Sequence, residues 1–192
     1  MKLALYGYGG HAREVAAQIG EKVEFYVDDE YANDIAKPIS EFNPATHYMM
    51  VAIGDSKSRF DVVQKLPKET VYFTYIHPTA LILDDDIKIG EGSFIGAYSI
   101  LTTNIKLGKH SLLNRANHIG HDTIIGDYFS AMPGAIVSGN VTIYDCVYMG
   151  TNSSIKEKLN IHSLSTIGMN SCVVKNINEP GVYVGTPAKK IK

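Results

Sequence analysis

Between Leu83 and Val173 an apolar residue recurs at every sixth position: Leu83, Ile89, Ile95, Leu101, Leu107, Leu113, Ile119, Ile125, Ala131, Val137, Ile143, Met149, Ile155, Ile161, Ile167 and Val173. With an apolar content of 45%, chance gives this unbroken run in a fixed register roughly once in several hundred thousand sequences. Neither a helical period nor strand alternation interrupted by irregular turns holds such a phase. A six-residue repeat predicts short flat strands, three to a triangular coil, with coils stacked into a prism around the repeated aliphatics. The residue after each aliphatic is often glycine (Gly90, Gly96, Gly108, Gly120, Gly126, Gly150, Gly168), and Asn114 fills the same slot. That slot is expected at corners, where left-handed backbone suits Gly and is tolerated by Asn. Four residues after the aliphatic, small or β-branched side chains such as Ser93, Ser99, Thr123 and Ala135 are expected to point inward.

Before residue 79 the pattern differs. Apolar runs at residues 3–6, 23–27, 48–53 and 71–76 read as strands. Helical spacing covers residues 11–19, up to Gly20, and residues 56–66, up to Pro67. This alternation predicts a small parallel α/β sheet, Rossmann-like, that binds ligands beyond the carboxyl ends of its strands. The expected domains are residues 1–78 and 79–192.

Composition narrows the classes of partner. The 192 residues include 18 basic and 20 acidic side chains, net −2, with no block of one sign. Nucleic acid is therefore not an expected partner. Two cysteines, Cys146 and Cys172, form neither a disulfide framework nor a metal-ligand spacing. Nothing in the chain is an apolar span of membrane length, so no membrane insertion and a cytoplasmic location are expected.

The run Ile89-Gly90-Glu91, Ile95-Gly96-Ala97, Leu107-Gly108-Lys109, Ile119-Gly120-His121 and Ile125-Gly126-Asp127 resembles the hexapeptide-repeat acyltransferases, as does the closing segment Gly181-Val182-Tyr183-Val184-Gly185-Thr186-Pro187-Ala188-Lys189-Lys190. Gly7-Tyr8-Gly9-Gly10-His11 together with Asp28-Asp29 is similar to the sialic acid O-acetyltransferase-like branch. That branch includes N-acetyltransferases of nucleotide-linked 4-amino-6-deoxysugars, of the bacillosamine-pathway type. The resemblance implies a left-handed parallel β-helix and an acetyl-CoA-dependent N-acetyltransferase acting on a UDP- or dTDP-linked amino-deoxysugar. It also implies a homotrimer with sites between subunits, in which one chain supplies both the sugar-binding domain and His121. No metal is implied.

Acetylating an amine calls for a base that titrates near neutrality, a role suited to His. His121, followed by Asp122 at a corner, matches the family's catalytic pair, and Asn114 matches a residue on the substrate side. Gly9, Gly10 and His11 at the glycine turn, Asp28 and Asp29 at the second strand end, and Gly54 and Asp55 at the next are the expected nucleotide-sugar contacts. A glycine turn at a helix N-terminus cradles a diphosphate. Gly7 to Ala12 also fits G-x-G-x-x-A, with an acidic residue about twenty positions on, but residues 1–78 make only half of a dinucleotide fold. Gly139, Thr151, Gly168 and Lys189 are the expected acetyl-CoA contacts. His110 and His162 have no distinguishing context, and His118 reads as structural or surface. Three other functions compete: an O-acetyltransferase of sialic acid, a non-catalytic nucleotide-sugar scaffold, and a β-helix carbonic anhydrase. The last lacks the H-x4-H histidine spacing among His77, His110, His118, His121 and His162.

Overall fold

The computed structural model describes residues 1–192. Its N-terminal region is a parallel sheet in the order β3-β2-β1-β4-β5. The strands are β1 (Lys2–Tyr6), β2 (Val23–Val27), β3 (Ala36–Pro38), β4 (His47–Val51) and β5 (Val71–Tyr72). Helix α1 (Gly10–Ile19) connects β1 to β2, and α2 (Ser56–Lys65) connects β4 to β5. Chain order therefore reverses between β1 and β4. At that switch point the turns after both strands open side by side at the carboxyl edge. Gly7 makes the turn possible: its φ is 109°, and a Cβ there would lie 3.4 Å from the Ala52 carbonyl oxygen.

The remainder is a left-handed parallel β-helix with three faces. Face one contains Phe94–Ile95, Leu112–Leu113, Ser130–Ala131 and Tyr148–Met149. Face two contains Leu81–Ile82, Ile100–Leu101, His118–Ile119, Ile136–Val137, Ser154–Ile155 and Cys172–Val173. Face three runs from Lys88–Ile89 to Asn160–Ile161. Neighbouring coils pair in register eighteen residues apart, as in Leu101↔Ile119 and Leu107↔Ile125. The hexapeptide aliphatics from Ile95 onward are buried and stack into one continuous core, with Ile89 packed against it. Ser93, Ser99, Thr123 and Ala135 are fully buried, as their slot requires. The strand Gly181–Val184 adds to face one, and Lys189–Lys190 folds back antiparallel on it.

Three expectations need correction. First, Leu83 is 60% exposed. Leu101 pairs with Ile82 instead, so the first coil carries one extra residue and the strict register starts at Ile89. Second, residues 71–76 are not one strand. Val71–Tyr72 completes the α/β sheet, whereas Tyr75–Ile76 already pairs with Phe94–Ile95, so the prism begins ahead of the expected boundary at 78/79. Third, the repeated glycines are not the left-handed residues. Positive φ falls two positions later, at residues such as Tyr98, Asn104, His110, Asp122 and Asn140. The glycines lie where coils stack most closely: a Cβ on Gly90, Gly120 or Gly150 would come within 2.5–2.6 Å of a backbone nitrogen in the next coil.

Candidate active site

The α/β domain sits on face one. Phe94 turns outward from this face into the cluster of Leu5, Ala12, Val15 and Met50. Arg59 of α2 is 1% exposed and acts as a strut. Its Nε donates to the His110 carbonyl (2.8 Å), its Nη2 to the carbonyls of Tyr128 and Phe129 and to Ser130 Oγ, and its Nη1 to the Ile53 carbonyl (2.5 Å). Burial lowers its pKa to about 10, which leaves the guanidinium charged at neutral pH. No carboxylate bonds it, and the charge is held by carbonyl dipoles, with Asp55 acting on it from a distance. This fixes the turn after β4 against the edge between faces three and one.

At the switch point, Gly9 precedes α1 in extended conformation without a side-chain cap, and no acidic residue occupies the first turn. The positive end of the helix is thus left for an external anion. His11 packs beside Gly54, and its Nε2 is buried without a partner. Its Nδ1 faces Glu14 Oε2 at 3.8 Å, while Glu14 Oε1 accepts from Arg115 Nη1 at 2.9 Å. Burial, with the Arg59 and Arg115 charges, depresses the His11 pKa against the opposing pull of Glu14, favouring the neutral imidazole. Asn114 is 3% exposed at the prism edge next to this group, and its Oδ1 accepts from Arg115 N at 2.7 Å.

The acidic residues expected at this site already have partners. Asp28 Oδ1 accepts from Tyr6 Oη at 2.6 Å, and burial together with this carboxylate drives the Tyr6 phenol upward. Asp29 Oδ1 accepts from Ser40 N, and Asp55 caps α2 by accepting from Ser58 N at 2.8 Å. The Gly54 carbonyl accepts from Ser130 Oγ at 2.7 Å. Each of the three carboxylates keeps a further acceptor position, whereas the Gly54 carbonyl also accepts from Arg59 Nη1 at 3.3 Å.

His121 and Asp122 lie elsewhere, on the edge between faces two and three. Both are exposed, with His121 Nδ1 and Asp122 Oδ2 2.7 Å apart. The His121 and Asn104 donors lower the Asp122 pKa, so the carboxylate is ionised and can only accept. Nδ1 therefore carries a proton, and in the neutral imidazole Nε2 presents the lone pair. Gly139 lies directly beneath the ring: a Cβ there would be 2.5 Å from Nε2. Any other residue at 139 would displace the imidazole.

This placement overturns the expectation that one chain joins the sugar-binding domain to His121. The α/β domain touches face one and its two flanking edges, through Ala97, Arg115, His110 and Tyr128. The edge between faces two and three is the one a triangular prism puts opposite face one. Gly139 accompanies His121 there. Thr151 and Gly168 lie with Asn114 on the edge between faces one and two, and Lys189 is exposed in the antiparallel return.

A family model described as PglD N-terminal domain matches residues 2–66. GDP-perosamine N-acetyltransferase of Escherichia coli O157:H7 is 27% identical over 171 residues, covering 80% of this chain and 77% of that protein. WeeI from Acinetobacter baumannii AYE is 29% identical with a TM-score of 0.89, and all of both chains is covered. The acetyltransferase domain of PglB from Neisseria gonorrhoeae FA1090 is 25% identical with a TM-score of 0.80, covering 99% of each chain. The same domain in complex with acetyl coenzyme A superposes with a TM-score of 0.69 at 23% identity over 99% of this chain and 98% of that one. Residues 2–66 thus match the PglD N-terminal domain, and the whole chain resembles hexapeptide-repeat sugar N-acetyltransferases in sequence and fold.

Sequence reasoning did not single out four residues that shape these two groups: Glu14, Arg59, Asn104 and Arg115. Glu14 was within reach, since it follows His11 at i+3 on a helix. Asn104 precedes Asp122 by one coil length. Arg59 and Arg115 carry no local signal, because their partners are distant in sequence. His110, which the sequence leaves without context, is 4% exposed, stacks on Tyr128 and meets the edge of Tyr72. The two clefts within one chain, about 260 and 270 Å³, contain none of the expected site residues.

Proposed function

We propose that this enzyme transfers the acetyl group of acetyl-CoA to the 4-amino group of a nucleotide-linked amino-deoxysugar, with His121 as general base. The observation carrying this reading is the His121–Asp122 pair, with Nε2 set over Gly139. The neutral amine attacks the thioester carbonyl carbon and the C–S bond breaks. The proton leaves the nitrogen for Nε2 and passes to the departing thiolate. Residues 1–78 hold the nucleotide sugar, with the diphosphate at Gly9, Gly10 and the α1 N-terminus and the sugar near His11 and Asn114. The GDP-perosamine enzyme among the relatives adds GDP to UDP and dTDP as a candidate carrier.

The active unit is a homotrimer. Face two lies between the two edges that carry the separated halves of the site, and it displays Leu81 (50% exposed) and Ile136 (43%). Packing three copies face two inward brings Asn114, Thr151 and Gly168 of one copy toward His121 and Gly139 of the next. Acetyl-CoA then lies in the groove between them. Transfer is direct, without an acyl-enzyme: Cys146 sits on the remaining edge, and burial raises its thiol pKa.

CoA release from acetyl-CoA, measured across UDP-, dTDP- and GDP-linked 4-amino-deoxysugars, tests this reading. Turnover is expected on one carrier and is expected to fall by about two to four orders of magnitude in His121→Ala. Full activity of His121→Ala removes the base. Turnover only with hydroxyl acceptors converts the enzyme to an O-acetyltransferase.

A further inference from the structure

The edge that carries His121 holds a longer hydrogen-bonded ladder. Asn104 and Asp122 occupy the same left-handed corner position on successive coils, at φ 49° and 58°. Asn104 Nδ2 donates to Asp122 Oδ1 at 2.7 Å, while His121 Nδ1 donates to Asp122 Oδ2 at 2.7 Å. Each carboxylate oxygen thus has its own donor, which fixes the plane of the group. Asn104 is anchored in turn. Its backbone N–H donates to Asp86 Oδ1 at 2.8 Å, and the neighbouring Thr103 Oγ1 donates to Asp84 Oδ2 at 2.7 Å. Asp84 and Asp86 belong to the first coil, whose single extra residue breaks the hexapeptide register between Ile82 and Ile89. The irregular turn ends the ladder by accepting from the coil that follows.

We propose that Asn104 is a positioning residue for acyl transfer: it holds Asp122 from the preceding coil and so keeps the His121 imidazole in one orientation, with Nε2 over Gly139. This rests on the reading of His121 as the base. His121 is 56% exposed and lies against Gly139. Without a fixed carboxylate its ring is free to rotate away from the groove. Asp122, itself exposed at a corner, is fixed only through its own partners. The Asn104 amide is a neutral donor, so it orients the carboxylate without adding a charge that competes with the imidazolium during proton transfer.

Asn also suits left-handed backbone by itself, so the test must separate the amide from the backbone. Asn104→Gly keeps that conformation accessible and removes the donor. Asn104→Asp also tolerates it, but sets a second carboxylate against Asp122. In Asn104→Gly, kcat is expected to fall about tenfold, with KM for both substrates within about twofold, since a base held loosely loses some of its catalytic contribution. In Asn104→Asp, the acid limb of the kcat/KM profile is expected to move to higher pH by about half a unit or more, because a nearby anion stabilises the imidazolium. The His121 imidazole resonance, assigned by its loss in His121→Ala, gives a readout independent of turnover and is expected to titrate at higher pH in Asn104→Asp. Unchanged kinetics and an unchanged titration in both variants overturn the proposal. A shifted titration beside a fully active His121→Ala overturns the base reading and with it the role of Asn104 in transfer, while leaving the coupling of the two side chains in place.

Discussion

Gly90, Gly120 and Gly150 show how one residue type can be legible in the sequence for the wrong reason. Their spacing marks the repeat, yet their φ values are ordinary, and the constraint is the backbone of the next coil 2.5–2.6 Å from a would-be Cβ. A methyl group there must push apart a pair of hydrogen-bonded coils. Gly90→Ala is therefore expected to cost about 1–3 kcal/mol, as overpacking does, and Asn104→Gly, at a left-handed position, much less. Urea unfolding of the two variants checks the order; a loss in Gly90→Ala no larger than in Asn104→Gly would remove the close approach of the coils as the constraint. His121 and Asp122 were readable as a pair because they are adjacent in sequence and match a family pattern. The group formed by His11, Glu14 and Arg115 was not, since Arg115 arrives from a corner about a hundred residues away. The structural duties of Asp28, Asp29 and Asp55 were equally hidden.

At the scale of elements, the junction between the sheet and face one depends on α2 and one prism edge. Arg59 reaches across it, and His110 fills the space between Tyr72 and Tyr128, its Nδ1 unpartnered against Gly92. Burial and then the Arg59 charge, aided by Lys109, lower the His110 pKa to about 4, with Glu91 and Asp127 opposing. The unfolded chain takes up this proton near the usual 6.5 and the folded chain only near 4. The folded state is therefore favoured fully above 6.5 and progressively less as pH falls toward 4. Between pH 7 and 4.5 this one group is expected to remove about 2–3 kcal/mol of stability. His110→Asn, which tolerates the left-handed corner, should flatten that stretch of the pH dependence; an unaltered slope would assign it to other groups. The splitting of residues 71–76 belongs to this scale too. The stretch holds neither Gly nor Pro, only Thr74 interrupts its apolar run, and the pairing partners decide that Val71–Tyr72 joins β4 while Tyr75–Ile76 joins the prism.

For the whole molecule, the two halves of the proposed site lie on different edges of the prism, and no motion within a rigid stack of coils brings them together. Mixing inactive His11→Ala and His121→Ala chains, unfolding and refolding them together, is expected to restore roughly a quarter of wild-type activity if each site takes one residue from each of two copies, since random assembly pairs two intact halves at about one site in four. Activity no higher than that of the separate variants would remove His11 from the site that His121 serves. No helix is long and apolar enough to cross a membrane. The sequence by itself determined the prism, because a six-residue period over some ninety positions has one packing solution, and the α/β sheet, because strand and helix periods alternate over short connections. It also marked His121 and the glycine turn, whose chemistry is local. Tertiary structure alone decided which edge carries His121, where the first coil takes its extra residue, and which side chains hold Asp122 and His11 in place. Those outcomes depend on contacts one coil or a whole domain apart, and distance in sequence leaves no pattern for them.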